Sequence, residues 1–167
     1  MIAYILIIAG FLMRLLPHAP NFVPVAAIAV FAGAYLNKRM TIFIPLAIMM
    51  ITDLIIGLHD VVLYTWGAFL LIGLMNTWLK NRVTAGNVFI STVISAMLFF
   101  IITNFGVWLA WYAHTWEGFT TCYINAIPFL RNRLLGNIIY AAALFGSYEL
   151  AKRLLENKNY RTVLLVD

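Results

Sequence analysis

Residues 41–58 read TIFIPLAIMMITDLIIGL, an apolar run in which Asp53 is the single charged side chain. A helix that crosses a bilayer needs about 20 largely apolar residues. Lipid offers the peptide backbone no hydrogen-bond partner, so an open strand cannot take this role. The run therefore predicts a membrane-spanning helix, even though Pro45 interrupts it.

The whole chain is also strongly apolar. Its 167 residues are 64% hydrophobic and 10% charged, and the mean hydropathy is +0.94. A soluble domain carries about 25% charged residues, and a small one shows much of its surface to water. A water-soluble class is therefore excluded. We predict an all-α integral membrane protein with a single transmembrane domain over residues 1–154 and a short cytoplasmic tail over residues 155–167.

Further apolar runs lie on both sides of the first one and predict a bundle of about six transmembrane helices. Residues 118–130 are apolar but too short to span, so we expect a re-entrant or interfacial segment there, in which Pro128 ends or kinks any helix. The N-terminus has no basic region before its apolar run and no clear cleavage site, which predicts a retained helix rather than a signal peptide. The predicted spans are residues 2–16, 22–36, 41–58, 61–79, 85–111 and 134–154.

Basic residues fall in alternate loops, a pattern that sets orientation because Lys and Arg in short loops stay in the cytoplasm. The pattern predicts a multi-pass protein of the inner (cytoplasmic) membrane with both termini in the cytoplasm. The net charge of +5 does not indicate nucleic acid, because these residues do not cluster on one aromatic-rich polar surface. The residues are Lys38, Arg39, Lys80, Arg82, Lys152, Arg153, Lys158 and Arg161.

Asp53 is the first candidate for a functional group. A carboxylate that faces lipid costs at least about 2.5 kcal/mol, so we expect it to face the bundle interior beside a cation. Arg14, Arg131 and Arg133 all fall toward the same side in the predicted topology. Two interpretations stay open, a ligand or proton site and a buried ion pair that holds helices together.

The turn after the first predicted span carries more polar groups. Residues 14–24 read RLLPHAPNFVP, and the three prolines force an extended turn that presents Arg14, His18 and Asn21. One interpretation is a rigid cap over a binding pocket. The other is a simple loop in which Arg14 reaches toward lipid head groups.

Two later segments complete the predicted site. Asn104 and Trp108 are four residues apart and share a helix face, which suits a flat or amphipathic ligand but equally an interhelical clamp. Arg131 and Arg133 open the last predicted span, and Asn137 lies one turn further on. Free N–H groups and positive charge at a helix start favour an anion, either on a ligand or on a lipid.

Metal, cofactor and catalytic signals are weak. The three histidines lie in three different loops and Cys122 is the single cysteine, so no metal-ligand spacing is present. We find no catalytic triad, paired carboxylates on one helix or phosphate loop. The chain is therefore predicted not to be an enzyme and to need no cofactor or metal; an enzyme that acts on a lipid or quinone is the least favoured alternative.

Three blocks of sequence carry a resemblance to known families. Residues 14–35 (RLLPHAPNFVPVAAIAVFAGAY), 45–60 (PLAIMMITDLIIGLHD) and 99–137 (FFIITNFGVWLAWYAHTWEGFTTCYINAIPFLRNRLLGN) resemble the DUF6580 family of bacterial membrane proteins. More distantly, the layout is similar to the S component of energy-coupling factor transporters. That similarity implies an S-component-like bundle with a pocket for a vitamin or similar micronutrient on the outer side. The first span departs from the S components, whose Ala-xxx-Ala pattern is absent because Ile7 follows Ala3.

These observations lead to a predicted function. The chain is expected to be a membrane-embedded solute-binding subunit of a transporter for a small anionic or carbonyl-bearing micronutrient; the alternative is a structural accessory subunit of a larger membrane complex. The expected partners are the lipid bilayer, a small-molecule ligand, and an energising transmembrane subunit or larger complex, but no nucleic acid. The predicted binding residues are Arg14, His18, Asn21, Asp53, Asn104, Trp108, Arg131 and Asn137.

Overall fold

A computed structural model describes residues 1–156, and within them the regular structure is entirely helical. Residues 157–167, which include most of the predicted tail with Lys158 and Arg161, lie outside the described residues. A 3₁₀ turn over Thr77–Leu79 extends the fourth helix. The helices are α1 (Ile2–Leu15), α2 (Val25–Tyr35), α3 (Lys38–Ile56), α4 (Val62–Asn76), α5 (Ala85–Trp111), α6 (Trp116–Asn125) and α7 (Ile127–Glu156).

Helix length and surface confirm the membrane class. Within the described residues, 4 helical segments are long and apolar enough to cross a bilayer, namely α3, α4 with its 3₁₀ turn, α5 and α7. Large apolar side chains stand out from the bundle, for example Leu63, which is 74% exposed, and Leu54, which is 68% exposed. A surface of this kind is stable against lipid and unfavourable in water. The remaining apolar helices, α1 and α2, are shorter than a bilayer-spanning helix.

Helix α2 lies at the centre of the bundle. Residues 25–34 are all buried, and α1, α3, α4, α5 and α7 all pack against this helix. Its sequence, VAAIAVFAGAY, explains the position because small side chains let neighbouring backbones come close. The closest approach is at Gly33, where an added Cβ would collide with the backbone carbonyl of Asn76.

The last span begins earlier than predicted. Helix α7 starts at Ile127 rather than at residue 134, and α6 occupies much of the segment predicted not to span. Pro128 is the reason: it lies in the first turn of α7, where its missing N–H has no helical partner to lose. The proline therefore separates α6 from α7 without delaying the start of α7.

Candidate functional site

A cavity of about 480 Å³ lies at the end of the bundle where α1 ends and α2 begins, which we call the cavity end. The turn between α1 and α2 forms part of its wall, together with side chains of α3, α4, α5, α6 and α7. Small-molecule sites are typically about 300–1,000 Å³, so this volume suits a small ligand. The polar residues that line it are Arg14, His18, Asn21, His59, Thr65, Thr103, Asn104, Tyr112, Asn125 and Arg133.

Asp53 lies behind this wall and is fully paired. Its Oδ1 accepts a hydrogen bond from Arg14 Nη2 at 2.8 Å, and its Oδ2 accepts one from Trp66 Nε1 at 2.9 Å. Arg14 also donates from Nε to Thr52 Oγ1 at 2.7 Å. Asp53 is 3% exposed. Of the three predicted cations, Arg14 is the one that contacts it. The pair has no net charge.

Arg133 presents the opposite situation. It is 3% exposed, and its guanidinium carbon lies 3.2 Å from the centre of the Phe99 ring. Nη2 donates to Asn21 Oδ1 at 3.3 Å, whereas Nε and Nη1 have no hydrogen-bond partner in the described part of the chain. Arg133 is therefore a buried cation whose charge no carboxylate of residues 1–155 offsets.

The proline-rich turn is held against α7. Asn132 Nδ2 donates to the carbonyl oxygen of Pro20 at 3.2 Å. Asn21 has a φ of 62°, a left-handed conformation that asparagine tolerates better than most residues, and this turns its side chain toward Arg133. His18 is exposed, and its ring nitrogens lie 3.1 Å and 3.2 Å from backbone carbonyl oxygens of Ala19 and Arg14.

Helices α5 and α6 form the opposite wall. Asn104 lines the cavity and donates from Nδ2 to the Phe100 carbonyl at 2.7 Å. The backbone carbonyl of Asn104 accepts a hydrogen bond from Cys122 Sγ at 3.5 Å. Cys122 is buried, and burial raises the pKa of its thiol. Tyr123, next to it, donates to the Ile101 carbonyl at 2.7 Å, and burial raises the pKa of its phenol, with a further contribution from Cys122.

The structure brings together half of the predicted binding residues. Arg14, His18, Asn21 and Asn104 line the cavity, and Asp53 supports it from behind. The other predicted residues lie elsewhere and do not line it. Trp108 donates from Nε1 to the Ala113 carbonyl at 3.0 Å, Arg131 is exposed, and Asn137 is fully buried below Arg133 with neither amide atom partnered in the described chain.

Helical geometry explains why Arg133 lines the cavity and Arg131 does not. At 3.6 residues per turn, side chains two positions apart point about 200° apart, so only one of the two can face the bundle. Arg133 shares its face with Phe129 and Leu130, which also line the cavity. The helical period, counted from Pro128, would have identified Arg133 as the inward-facing arginine, whereas the presence of two nearby arginines does not distinguish them.

A set of aromatic side chains was also missed at the site. Phe69, Phe99, Phe100 and Phe129 line the cavity, and Phe69 and Phe99 contact each other with ring centres 5.4 Å apart. Aromatic residues are common in any transmembrane span, so nothing in their spacing marked these four. In residues 1–155, no three metal-ligating side chains form a group that could hold an ion.

Comparison with known families gives one result. A family model described as "Family of unknown function (DUF6580)" matches residues 1–159, and the chain therefore belongs to this family. No curated protein and no solved structure matches the chain.

Proposed function

We propose that this DUF6580 protein binds a small anionic or carbonyl-bearing solute within the membrane, as an S-component-like solute-binding subunit of a transporter. The observation that carries the proposal is Arg133, a buried guanidinium in the wall of a ligand-sized cavity with two unpartnered nitrogens, Nε and Nη1. A charge buried without a partner is strongly unfavourable. An anion at this position would offset that cost.

The cavity also has the mixture of groups that a solute site requires. Ligand pockets are mostly apolar, with a few polar groups that fix orientation. Here aromatic side chains such as Phe99 and Phe129 form much of the wall. Asn21 and Asn104 supply amides to the same cavity, and Asn21 contacts Arg133. The arrangement supports recognition of a polar head on an apolar body.

The predicted topology places the cavity on the outer side of the inner membrane of a bacterium. Lys38 and Arg39 begin α3, and Lys80 and Arg82 follow the 3₁₀ turn after α4, whereas the cavity lies at the other end of these helices, where α1 ends. In this orientation a solute enters from outside, and its release inward requires movement against a partner. An energising transmembrane subunit is the partner that this role implies.

Native mass spectrometry of the gently solubilised protein tests the proposal. We expect a small molecule to co-purify with the native chain, to be lost in Arg133→Gln, and to be retained in Arg131→Gln. The second variant is a matched control because Arg131 is an exposed arginine of the same helix turn. No co-purified molecule, or equal retention in both variants, would contradict the proposal.

A structural accessory subunit of a larger complex is the second candidate. The paired network of Arg14, Thr52, Asp53 and Trp66 favours it, because these groups already satisfy one another. The same experiment separates the two candidates. A stoichiometric large complex without a bound small molecule would support the accessory subunit.

A further inference from the structure

We infer that the solute is a monocarboxylate with a flat aromatic body, an inference that rests on the proposed function and names its substrate class. Three independent observations support it: the number of free charges in the cavity wall, the hydrogen-bonding edges left on Arg133, and the aromatic side chains around it.

The charges allow one negative group. Arg14 is neutralised by Asp53 at 2.8 Å, and Asp53 cannot turn away without leaving the indole of Trp66 unpaired. Arg133 is the other arginine of the wall and carries the uncompensated charge. Neither lysine nor carboxylate lines the cavity within the described residues, and its two histidines, His18 and His59, are exposed. A second negative charge beside the buried Arg133 would thus lack a buried counter-ion, which is strongly unfavourable in a low dielectric.

The geometry of Arg133 selects a planar head group. Phe99 covers one face of the guanidinium at 3.2 Å, so an anion on that side has to approach along the edges. Asn21 takes one hydrogen of Nη2, while Nε and Nη1 are free. A guanidinium presents its donors as paired forks that match a carboxylate, and use of one Nη2 hydrogen leaves one such fork intact.

Burial of Nε and Nη1 also favours a planar head group. Nε and Nη1 are almost inaccessible to water, so an anion reaches them only by displacing the side chains around them. A carboxylate is flat and needs a smaller displacement than a tetrahedral phosphate. It is also smaller than a sulfonate or a phosphate ester, which favours the carboxylate further.

The aromatic side chains define the rest of the ligand. Phe69, Phe99, Phe100 and Phe129 line the space beside Arg133. Aromatic groups pack by offset stacking or edge to face, and each such pair contributes about 0.5–1.5 kcal/mol beyond burial. A planar ring therefore fits this wall better than a branched aliphatic chain or a sugar.

The test compares ligands that share one ring and differ only in the head group. The protein is placed in nanodiscs of phosphatidylcholine, and binding of 2-naphthoate, 2-naphthamide, 2-naphthyl phosphate and 2,6-naphthalenedicarboxylate is measured by equilibrium dialysis. Binding to Arg133→Gln is subtracted, because that variant reports partition into the lipid. We expect 2-naphthoate to bind about ten- to a hundredfold more tightly than the other three. The amide lacks the charge-assisted contact, and the phosphate and the dicarboxylate each bring a second negative charge that has no counter-ion beside Arg133. Arg131→Gln should behave as the native chain.

The outcomes separate the substrate class from the proposed function. Equal or tighter binding of the phosphate or the dicarboxylate overturns the monocarboxylate class and leaves solute binding in place. Failure of all four probes while a molecule still co-purifies in an Arg133-dependent way overturns the aromatic class alone. Failure of all four with no co-purified molecule overturns both.

Discussion

At the scale of single residues, two arginines of the cavity end lie in opposite electrostatic settings. Arg14 has a carboxylate at 2.8 Å, whereas Arg133 has an aromatic face and one amide. A paired charge stabilises the bundle only as long as its partner remains, while an unpaired one lowers stability. Substitution of the unpaired Arg133 and of Asp53, the partner of Arg14, should therefore change the free energy of unfolding in opposite directions.

Replacement of the unpaired cation should stabilise the protein. Arg133→Met removes a buried charge and keeps a long apolar side chain, and we expect the free energy of unfolding to rise by about 1–3 kcal/mol, with loss of solute binding. Chemical unfolding in detergent measures the change, and the exposed Arg131→Met should stay within about 0.5 kcal/mol of the native chain. A drop in stability in Arg133→Met would show that Arg133 has a structural partner.

Removal of the paired carboxylate should do the reverse. Asp53→Ala leaves Arg14 and Trp66 without their acceptor, and we expect a loss of about 3–5 kcal/mol in the free energy of unfolding. Asp60→Ala is the control, because Asp60 is an exposed carboxylate of the same end that accepts one hydrogen bond from Trp111. A loss in Asp53→Ala no larger than in the control would contradict a structural role for the pair.

Sequence reasoning reached part of this residue-scale picture. An intramembrane carboxylate demands a partner, so a cation beside Asp53 followed from charge and topology, and Arg14 is the one of the three predicted arginines that contacts it. Which arginine of the 131–133 pair faces inward did not follow, because the start of α7 was placed too late. With the helix begun at Ile127, the face of Arg133 is the one that also carries Phe129.

At the scale of elements, Gly33 of α2 and Gly146 of α7 differ in what surrounds them. Gly33→Ala places a Cβ against the carbonyl of Asn76, whereas Gly146 has nothing within 4 Å. We expect Gly33→Ala to lower the free energy of unfolding by about 1–3 kcal/mol through overpacking. Gly146→Ala should raise it by about 0.5–1 kcal/mol through helix propensity. Equal effects in a thermal unfolding series would contradict the central position of α2.

The elements were predictable where hydropathy alone defines them. The predicted span over residues 85–111 coincides with α5, and the predicted third span overlaps most of α3. The error is at the start of α7, where a proline was given the role of helix end; α6 has 10 residues and is too short to span. In the structure Pro128 lies in the first turn of a helix, a position that a linear hydropathy profile cannot distinguish from a break.

At the scale of the whole molecule, the arrangement of basic loops makes a prediction about sidedness. In a Cys122→Ser background, we expect Lys80→Cys to react with a membrane-impermeant maleimide only after the cells are permeabilised. His59→Cys, whose native side chain lines the cavity, should react in intact cells. Reversed labelling would place the cavity on the cytoplasmic side and contradict capture of a solute from outside.

The membrane class of the molecule followed from composition, and the helical bundle confirms it. The count of about six spans stays a prediction: within the described residues 4 helical segments are long enough to cross a bilayer, and α1 and α2 are shorter. An apolar run is a span only if its helix reaches across the lipid. Helix α2 is apolar for another reason, because other helices surround it on all sides. Hydropathy measures how apolar a segment is, and it cannot tell whether lipid or protein supplies the apolar surroundings.

The burial of α2 has a consequence for how the chain tolerates change. A helix at a surface accepts substitutions on one side and rejects them on the other, so its tolerance profile repeats every 3.6 residues. Residues 25–34 have no permissive side. Saturation mutagenesis should therefore show a flat, uniformly intolerant band across this segment, between neighbouring helices whose profiles oscillate.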